Sequence, residues 1–306
     1  MAAKSDSPFS LAEWAAIWTV VVVWGLNNAA GKLATQALPP LLVGGLRFAV
    51  ALILLFPFIR PPFPPWKTFL PVLLLTGPVH FGIIYWGFAL AHNLSLFSVT
   101  LQLWVPLTAL LSWVILGESM PRLALAGMAV AFAGVAFMTV DPRAAAEVKA
   151  VLIGLVASSC WALGTVLVRR MPQVRALKLQ GCVSLLAAPV LLVLAFATEP
   201  DLVPRAQAAS ALVWASVVFA GAVSSVGATV ALFWLVQRRE AGSFTPYLLT
   251  TPIVTTIMGV TFFHDVLSVR LIAGSIATLI GVGLVAVAQR RGTAVEVEVE
   301  VLSSQV

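Results

Sequence analysis

Long apolar runs separated by short polar or charged segments form the main pattern of this chain. A helix needs about 20 apolar residues to cross the hydrocarbon core of a bilayer, and ten runs have about that length. The pattern therefore predicts an all-α integral membrane protein with ten transmembrane helices. The predicted spans are 11–31, 41–59, 69–91, 95–116, 122–140, 150–168, 177–197, 211–236, 244–263 and 269–289.

The composition agrees with a membrane protein. Of the 306 residues, 60% are hydrophobic and 10% are charged, and the mean hydropathy is +1.03. A soluble domain with a polar exterior does not have such values. The first run is longer than the apolar region of a signal peptide, which has about 7–15 residues, so we interpret it as the first span. Residues 293–306 alternate Val and Glu, but a lone strand has nothing to pair with, and we predict a disordered cytoplasmic tail.

The positive charges predict the orientation. If the amino terminus is cytoplasmic, twelve of the 18 Lys and Arg residues fall on the cytoplasmic side, five fall on the opposite side, and Arg47 lies inside a span. Cytoplasmic loops carry the excess of positive charge, so both termini are predicted to be cytoplasmic. No loop interleaves basic residues with exposed aromatic residues, and no nucleic-acid partner is expected. The expected partners are the lipid bilayer and a small molecule, and a monomer is compatible with the sequence.

The chain contains an internal repeat of five spans. An odd number of spans inverts the second copy relative to the first, which predicts two inverted five-helix repeats, residues 1–145 and 146–292, before the tail. Inverted repeats are typical of secondary transporters, whose substrate site lies near the bilayer midplane between the halves. The matched residues are Trp24 with Trp161, Pro106 with Pro252, Gly127 with Gly274, and Gly134 with Gly281.

The first copy contains the motifs Trp24-Gly25-Leu26-Asn27, Lys32, Pro39-Pro40, Arg47-Phe48, Pro106 and Gly117-Glu118. These motifs resemble those of a known family, the EamA branch of the drug/metabolite transporter superfamily. The resemblance extends over nearly the whole chain, and within the branch it is closest to YddG-type exporters of aromatic and other neutral amino acids. It implies a ten-helix bundle with a central cavity. The second copy departs from the pattern at Phe263-His264-Asp265, and we assign that loop no chemistry.

Polar and aromatic residues inside the spans are the candidates for substrate binding. An asparagine in hydrocarbon needs polar partners, either in a neighbouring helix or in a water-filled cavity, and both uses stay open. His80 stands between Pro78 and Gly82, which loosen the helix and favour exposure to a cavity. The predicted substrate-binding residues are Trp24, Asn27, Asn28, His80, Tyr85, Gln102, Trp104, Trp161, Thr165, Tyr247 and Thr250.

Three observations concern charges near or inside the bilayer. Arg47 is predicted to extend its charge to the interface or to bond carbonyl groups of a neighbouring helix, with binding of a substrate carboxylate as the alternative. Lys32 is predicted to lie at the interface. None of the 12 acidic residues falls in mid-membrane, so we expect transport to be uncoupled, with proton coupling through His80 as the alternative.

The predicted function is export of a small neutral or zwitterionic metabolite, in the first place an aromatic amino acid, by alternating access across the inner membrane of a bacterium. The alternatives are export of another metabolite or drug of the same superfamily, and a membrane-embedded lipid-modifying enzyme. The chain lacks the Gly-x-x-x-x-Gly-Lys-Ser/Thr, His-Glu-x-x-His and Gly-x-Ser-x-Gly motifs. We therefore expect no ATP-driven, zinc-dependent or serine-hydrolase chemistry, no catalytic residues and no cofactor or metal.

Overall fold

Every regular element in the described part of the chain is helical. The structure is a computed structural model and describes residues 9–118, 120–139, 147–172, 174–238, 244 and 247–303. The predicted all-α class is therefore confirmed within these ranges. In chain order the α-helices are α1 (Leu11–Ala37), α2 (Pro40–Leu55), α3 (Trp66–Leu74), α4 (His80–Leu90), α5 (Leu94–Leu101), α6 (Trp104–Leu116), α7 (Arg122–Thr139), α8 (Val148–Arg169), α9 (Ala176–Thr198), α10 (Leu202–Ala208), α11 (Ala211–Val218), α12 (Thr229–Arg238), α13 (Thr251–Phe263) and α14 (Val269–Ser303).

Eight helical segments of the described residues are long and apolar enough to cross a membrane. Helix α13 is apolar but shorter, and residues 245–246 of the predicted span 244–263 lie outside the described part of the chain. Helix α1, with two asparagines and a lysine in its second half, is not among the eight. The eight are Pro40–Phe58, Trp66–Leu90, Leu94–Leu116, Arg122–Thr139, Val148–Arg169, Ala176–Thr198, Ala211–Leu232 and Val269–Ala288.

Helix α1 is longer than its predicted span. It begins at a capping box, in which Ser10 Oγ accepts a hydrogen bond from the Glu13 amide at 3.3 Å and the Glu13 carboxylate accepts one from the Ser10 amide at 2.7 Å. Its 27 residues end at Ala37. The next residue, Leu38, precedes Pro39 and therefore favours extended backbone. Nothing between residue 31 and that point breaks a helix, which explains the difference.

Three of the eight segments are interrupted within the bundle. The stretch Leu75–Val79 is π-helical and includes Gly77 at φ −114° and ψ −110° next to Pro78, so the loosening predicted for this span is confirmed. A second π-helical stretch, Phe219–Ala228, joins α11 to α12. The third break separates α5 from α6 ahead of Pro106, which has no amide hydrogen to donate. π-Helical turns are rare and frequent at functional sites.

Helices α7 and α14 pack with their backbones in direct contact. A Cβ atom on Gly127 would lie 2.6 Å from the Gly281 carbonyl oxygen, and one on Gly134 would lie 2.7 Å from the Gly274 carbonyl oxygen. Only glycine permits this approach. Because the lower number of one helix meets the higher number of the other, the two helices are antiparallel. These are the four glycines that the sequence pairs between the copies.

A second antiparallel pair and a pair of helices with matching ends are also found. Helices α2 and α9 are antiparallel, because Gly45 packs against Leu192 and Gly181 packs against Ile59 just beyond α2. Helices α6 and α13 have the same length of 13 residues, and each ends on a residue in the left-handed conformation, Gly117 at φ 70° and His264 at φ 58°.

The last helix, α14, continues through residues 293–303, where the sequence analysis predicts a disordered tail. A helix satisfies backbone hydrogen bonds within its own segment, so it needs no partner strand. The boundary at residues 145 and 146 and the end of the tail at 304–306 lie outside the described residues. The predicted domain limits therefore stay predictions.

Candidate functional site

A buried arginine lies halfway along α2, and we call its surroundings the Arg47 centre. Arg47 is the eighth of the 16 residues of α2 and is 5% exposed. Its Nε donates to Ser225 Oγ at 2.9 Å, one terminal nitrogen donates to the Tyr85 hydroxyl at 3.3 Å, and the other lies 3.5 Å from Ser224 Oγ. The guanidinium carbon is 4.6 Å from the centroid of the Phe81 ring, which is a cation–π contact.

Aromatic rings continue from Arg47 toward α8. The Phe81 ring meets Phe48 at 4.9 Å and His80 at 4.8 Å, both edge to face. His80 lies 5.0 Å from the Trp161 ring, and its Nδ1 is 2.8 Å from the Ala157 carbonyl oxygen. A carbonyl oxygen only accepts, so Nδ1 carries a proton and Nε2 is left for another partner.

One π-helical stretch contains two of the four groups around the guanidinium, and the other leads into α4, which carries the remaining two. Leu75–Val79 leads directly into His80 and Phe81, while Phe219–Ala228 contains both serines. Ser225 Oγ also donates to the Ala220 carbonyl, five residues back within the π-helical stretch. The second stretch lies close on α2, because a Cβ atom on Gly221 would be 2.6 Å from the Arg47 carbonyl oxygen.

The role predicted first for Arg47 is wrong. Its side chain reaches neither the interface nor the carbonyl groups of a neighbouring helix, because α2 places it halfway along a membrane-length segment and hydroxyl groups surround it. The sequence argument placed Arg47 too near the start of its span. The sequence also does not indicate that the acceptors are Ser224 and Ser225, which stand 177 and 178 positions later in the chain.

Three predicted site residues lie together at this centre, namely His80, Tyr85 and Trp161. The asparagines of α1 lie elsewhere, against α13. Asn28 Nδ2 donates to Thr255 Oγ1 at 3.1 Å, which is the interhelical use that the sequence left open. Asn27 Oδ1 is buried and has no hydrogen-bond partner in the described part of the chain.

The other six predicted residues are spread along the bundle. Trp24 packs in an apolar cluster with Val254. Tyr247 contacts Trp14, with ring centroids 4.9 Å apart, near the amino-terminal end of α1. Thr165 and Thr250 donate to carbonyl groups of their own segments. The remaining two flank the break between α5 and α6, and they are Gln102 and Trp104.

One end of the bundle, which we call the Lys32 end, holds buried charged groups whose contacts the sequence did not predict. Lys32 is 7% exposed and donates to the Phe88 and Ala91 carbonyl groups at the end of α4, so its charge is buried within the protein. The Glu147 carboxylate accepts from the His92 and Asn93 amides at 3.0 and 3.1 Å. Anions are stabilised at helix amino termini, here that of α5.

Two further carboxylates close the same end. Asp265 accepts from the amides of Leu94 and Ser95 at 3.2 and 2.7 Å and from Ser95 Oγ at 2.6 Å. Glu199 accepts from the amides of Leu41 and Leu42 at 2.8 and 3.1 Å. Burial raises the pKa of Glu147 and Glu199, although the amide hydrogen bonds oppose this effect. Only the acidic residues after the apolar runs signalled these caps.

The opposite end, which we call the Arg169 end, is more open. Arg169 pairs with Glu118 at 2.5 Å and bonds Ser112 Oγ at 3.3 Å, with about half of the arginine side chain exposed. A groove of about 1080 Å³ lies at this end beside the proline-rich loop, and Arg60, Arg175 and Lys178 are among its lining residues.

Membrane-length helices with two π-helical breaks beside a buried polar centre are typical of a membrane transport protein. The model of the EamA-like transporter family matches the chain twice, at residues 13–140 and 148–287. The chain belongs to the EamA-like transporter family, within the drug/metabolite transporter superfamily, so the resemblance is confirmed.

Individual relatives agree with this assignment. "Uncharacterized transporter YvbV" of Bacillus subtilis is 26% identical over 87% of this chain and 88% of its own length. "Probable amino-acid metabolite efflux pump" of Escherichia coli is 30% identical over 48% of this chain and 50% of its own. One crystal structure matches with a TM-score of 0.61 at 20% identity, covering 91% of this chain and 98% of its own. At that identity the likeness supports the fold alone.

Proposed function

We propose that the protein exports aromatic and other neutral amino acids across the inner membrane of a bacterium. The observation that carries the proposal is the chain of rings Phe81, His80 and Trp161 beside a buried cation, since planar side chains stack on such rings. The Escherichia coli relative that matches over about half of each chain is named as a probable amino-acid metabolite efflux pump, which supports a substrate related to amino acids. Export of another metabolite or drug is the alternative.

The proposed binding residues comprise a first group at Arg47, a second group formed by Asn27, and seven further residues spread along the bundle. His80, Tyr85 and Trp161 belong to the Arg47 centre. In the second group, the unpartnered Asn27 Oδ1 is an acceptor for a substrate ammonium group. The remaining proposed residues of the site are Trp24, Asn28, Gln102, Trp104, Thr165, Tyr247 and Thr250.

For the architecture we propose ten spans in two inverted repeats, residues 1–145 and 146–292, working by alternating access as a monomer. Two observations support this proposal. The family model matches the chain twice, and the matched helices α7 and α14 are antiparallel. The bias of positive charge supports cytoplasmic termini, with the Arg169 end toward the cytoplasm.

The test is counterflow in proteoliposomes that contain only this protein, preloaded with one amino acid and offered a labelled panel. We expect exchange of aromatic amino acids above that of charged ones. Trp161→Ala should reduce exchange about tenfold, since it removes both burial and ring contact. Trp66→Ala, at a tryptophan that is 61% exposed, is the matched control and should leave exchange unchanged.

Absence of amino-acid exchange would contradict the proposed substrates, and exchange of another class from the panel would replace them. Equal effects of the two tryptophan variants would contradict the proposed site. Thermal unfolding of each variant in detergent separates loss of binding from loss of folded protein.

A further inference from the structure

Arg47 carries a full positive charge for which the described residues provide no carboxylate partner. The ion pairs found there join His92 to Glu147 and Arg169 to Glu118, at the two ends of the bundle. Taking an arginine to the middle of a membrane segment without a counter-charge is expensive, and such residues are retained for function. The groups around Arg47 are hydroxyls and aromatic rings, which are neutral.

The hydrogen bonds of the guanidinium leave enough N–H donors for one bidentate acceptor. A guanidinium has five N–H groups. Three of them are directed to Ser225, Tyr85 and Ser224, and the last contact, at 3.5 Å, is long. Each terminal nitrogen therefore retains a second hydrogen. A carboxylate takes two parallel hydrogen bonds from such a pair of nitrogens.

The surroundings specify what is attached to that carboxylate. Phe81 lies under the guanidinium, and Trp161 meets Phe81 with centroids 6.3 Å apart. A molecule whose carboxylate meets Arg47 would therefore have an aromatic surface beside it. This arrangement fits a small monocarboxylate with a planar apolar side chain.

The structure also holds the guanidinium in place before any ligand arrives. Ser224 and Ser225 come from a π-helical stretch that lies against α2 through Gly221, and Tyr85 comes from α4. A fixed guanidinium loses less side-chain entropy on binding than a mobile one. The serine hydroxyls can rotate, so they can release an N–H group or turn toward a ligand oxygen.

We infer that Arg47 is the anchor for the carboxylate group of the transported molecule, and that the protein therefore selects carboxylates over otherwise identical amides and amines. This inference rests on the proposed transport function but not on amino acids being the substrate. Arg47 thereby joins the eleven proposed site residues as the residue that binds the carboxylate group of the substrate.

The experiment compares matched pairs of probes on the purified full-length protein. The pairs are phenylalanine with phenylalaninamide and phenylacetate with phenylacetamide, measured by ligand-induced thermal stabilisation and by counterflow. Because hydrogen bonds to charged groups contribute about 1.5–3 kcal/mol, we expect the wild type to prefer each carboxylate by about 10-fold to 150-fold. Arg47→Gln should remove most of this preference. Arg60→Gln, at an exposed loop arginine, should keep it.

Two further variants keep the test decisive if Arg47→Gln folds poorly. Arg47→Lys keeps the charge and loses the planar pair of donors, so the preference should fall several-fold. Tyr85→Phe frees an N–H group without touching the charge, so the preference should persist. A purely structural role would change unfolding temperatures without changing the carboxylate-to-amide ratio.

The possible outcomes separate this inference from the proposed function. Amino-acid exchange whose carboxylate preference survives in Arg47→Gln would overturn the inference and leave the function standing. Preference for phenylacetate without amino-acid exchange, lost in Arg47→Gln, would do the reverse. A wild-type protein with no preference in either pair would overturn the inference directly.

Discussion

The cap formed by Asp265 should be a large local contribution to stability, and Asp265→Ala tests it. The substitution removes the acceptor from two backbone amides and one hydroxyl at the start of α5. Loss of a capping side chain costs about 0.5–2 kcal/mol, and a buried donor left without a partner costs about 1–3 kcal/mol. Since these costs overlap, we expect a loss of about 2–4 kcal/mol.

The repeat offers a matched control for this prediction. Glu118 follows α6 as Asp265 follows α13, in each case one residue after the left-handed cap. Its carboxylate pairs with a half-exposed Arg169. Exposed pairs contribute about 0–1 kcal/mol, so Glu118→Ala should have a small effect. Asp265→Asn, which keeps one acceptor oxygen, should fall between the two alanine variants.

The assay is denaturant unfolding in detergent micelles, followed by tryptophan fluorescence and repeated by circular dichroism to check two-state behaviour. The expected order of stability is wild type, Glu118→Ala, Asp265→Asn and Asp265→Ala. If Asp265→Ala and Glu118→Ala lose the same free energy, the assignment of Asp265 as a buried cap is refuted.

Three further predictions concern topology, coupling and pH. The topology test starts from a variant without the native cysteines and adds an impermeant thiol reagent to intact cells. A cysteine introduced at Lys67 should be protected from the reagent, and one introduced at the exposed Asp201 should react. The reverse labelling would invert the proposed orientation. Counterflow should persist without a proton gradient, and His80→Asn should change affinity more than pH dependence; a strict gradient requirement that is lost in this variant would assign the proton to His80. Burial raises the pKa of Glu147 above its ordinary value of 4.5, so the native state keeps this proton to a higher pH than the unfolded chain does. The contribution of Glu147 to stability should therefore decline as pH rises from about 4.5 through the native pKa. Glu147→Gln should flatten the dependence of the unfolding temperature on pH between pH 4 and 7. An unchanged pH profile in this variant would exclude Glu147 as the cause of that dependence.

Local features of the sequence predicted local features of the fold. Apolar run length gave the positions of most spans, and Pro78 with Gly77 marked a real break. The spacing of Gly127 and Gly134 marked a face that packs closely. The sequence predicts these features because their causes act within one segment of the chain. The causes are the length of an apolar run, the missing amide hydrogen of proline and the missing side chain of glycine.

Features that join distant parts of the chain were not readable. Asn28 meets Thr255, which is 227 positions away, and Arg47 meets Ser225 at a separation of 178. A polar residue within an apolar run indicates that the residue needs a hydrogen-bond partner, but it does not indicate which residue that partner is. Tyr247 illustrates the same limit, because its position in a span said nothing of its contact with Trp14.

The crossed glycines of α7 and α14 have a consequence for how this protein can vary. At each of the four positions a Cβ atom would come within 2.7 Å of a backbone or side-chain atom of the facing helix. A larger residue on one side is usually tolerated when a smaller one appears opposite, but nothing is smaller than glycine. No compensating substitution therefore exists, and the two helices can separate only by giving up the contact along its whole length. A larger residue at any one of the four positions would therefore disturb the packing of both helices, and the four glycines can be expected to vary together or not at all.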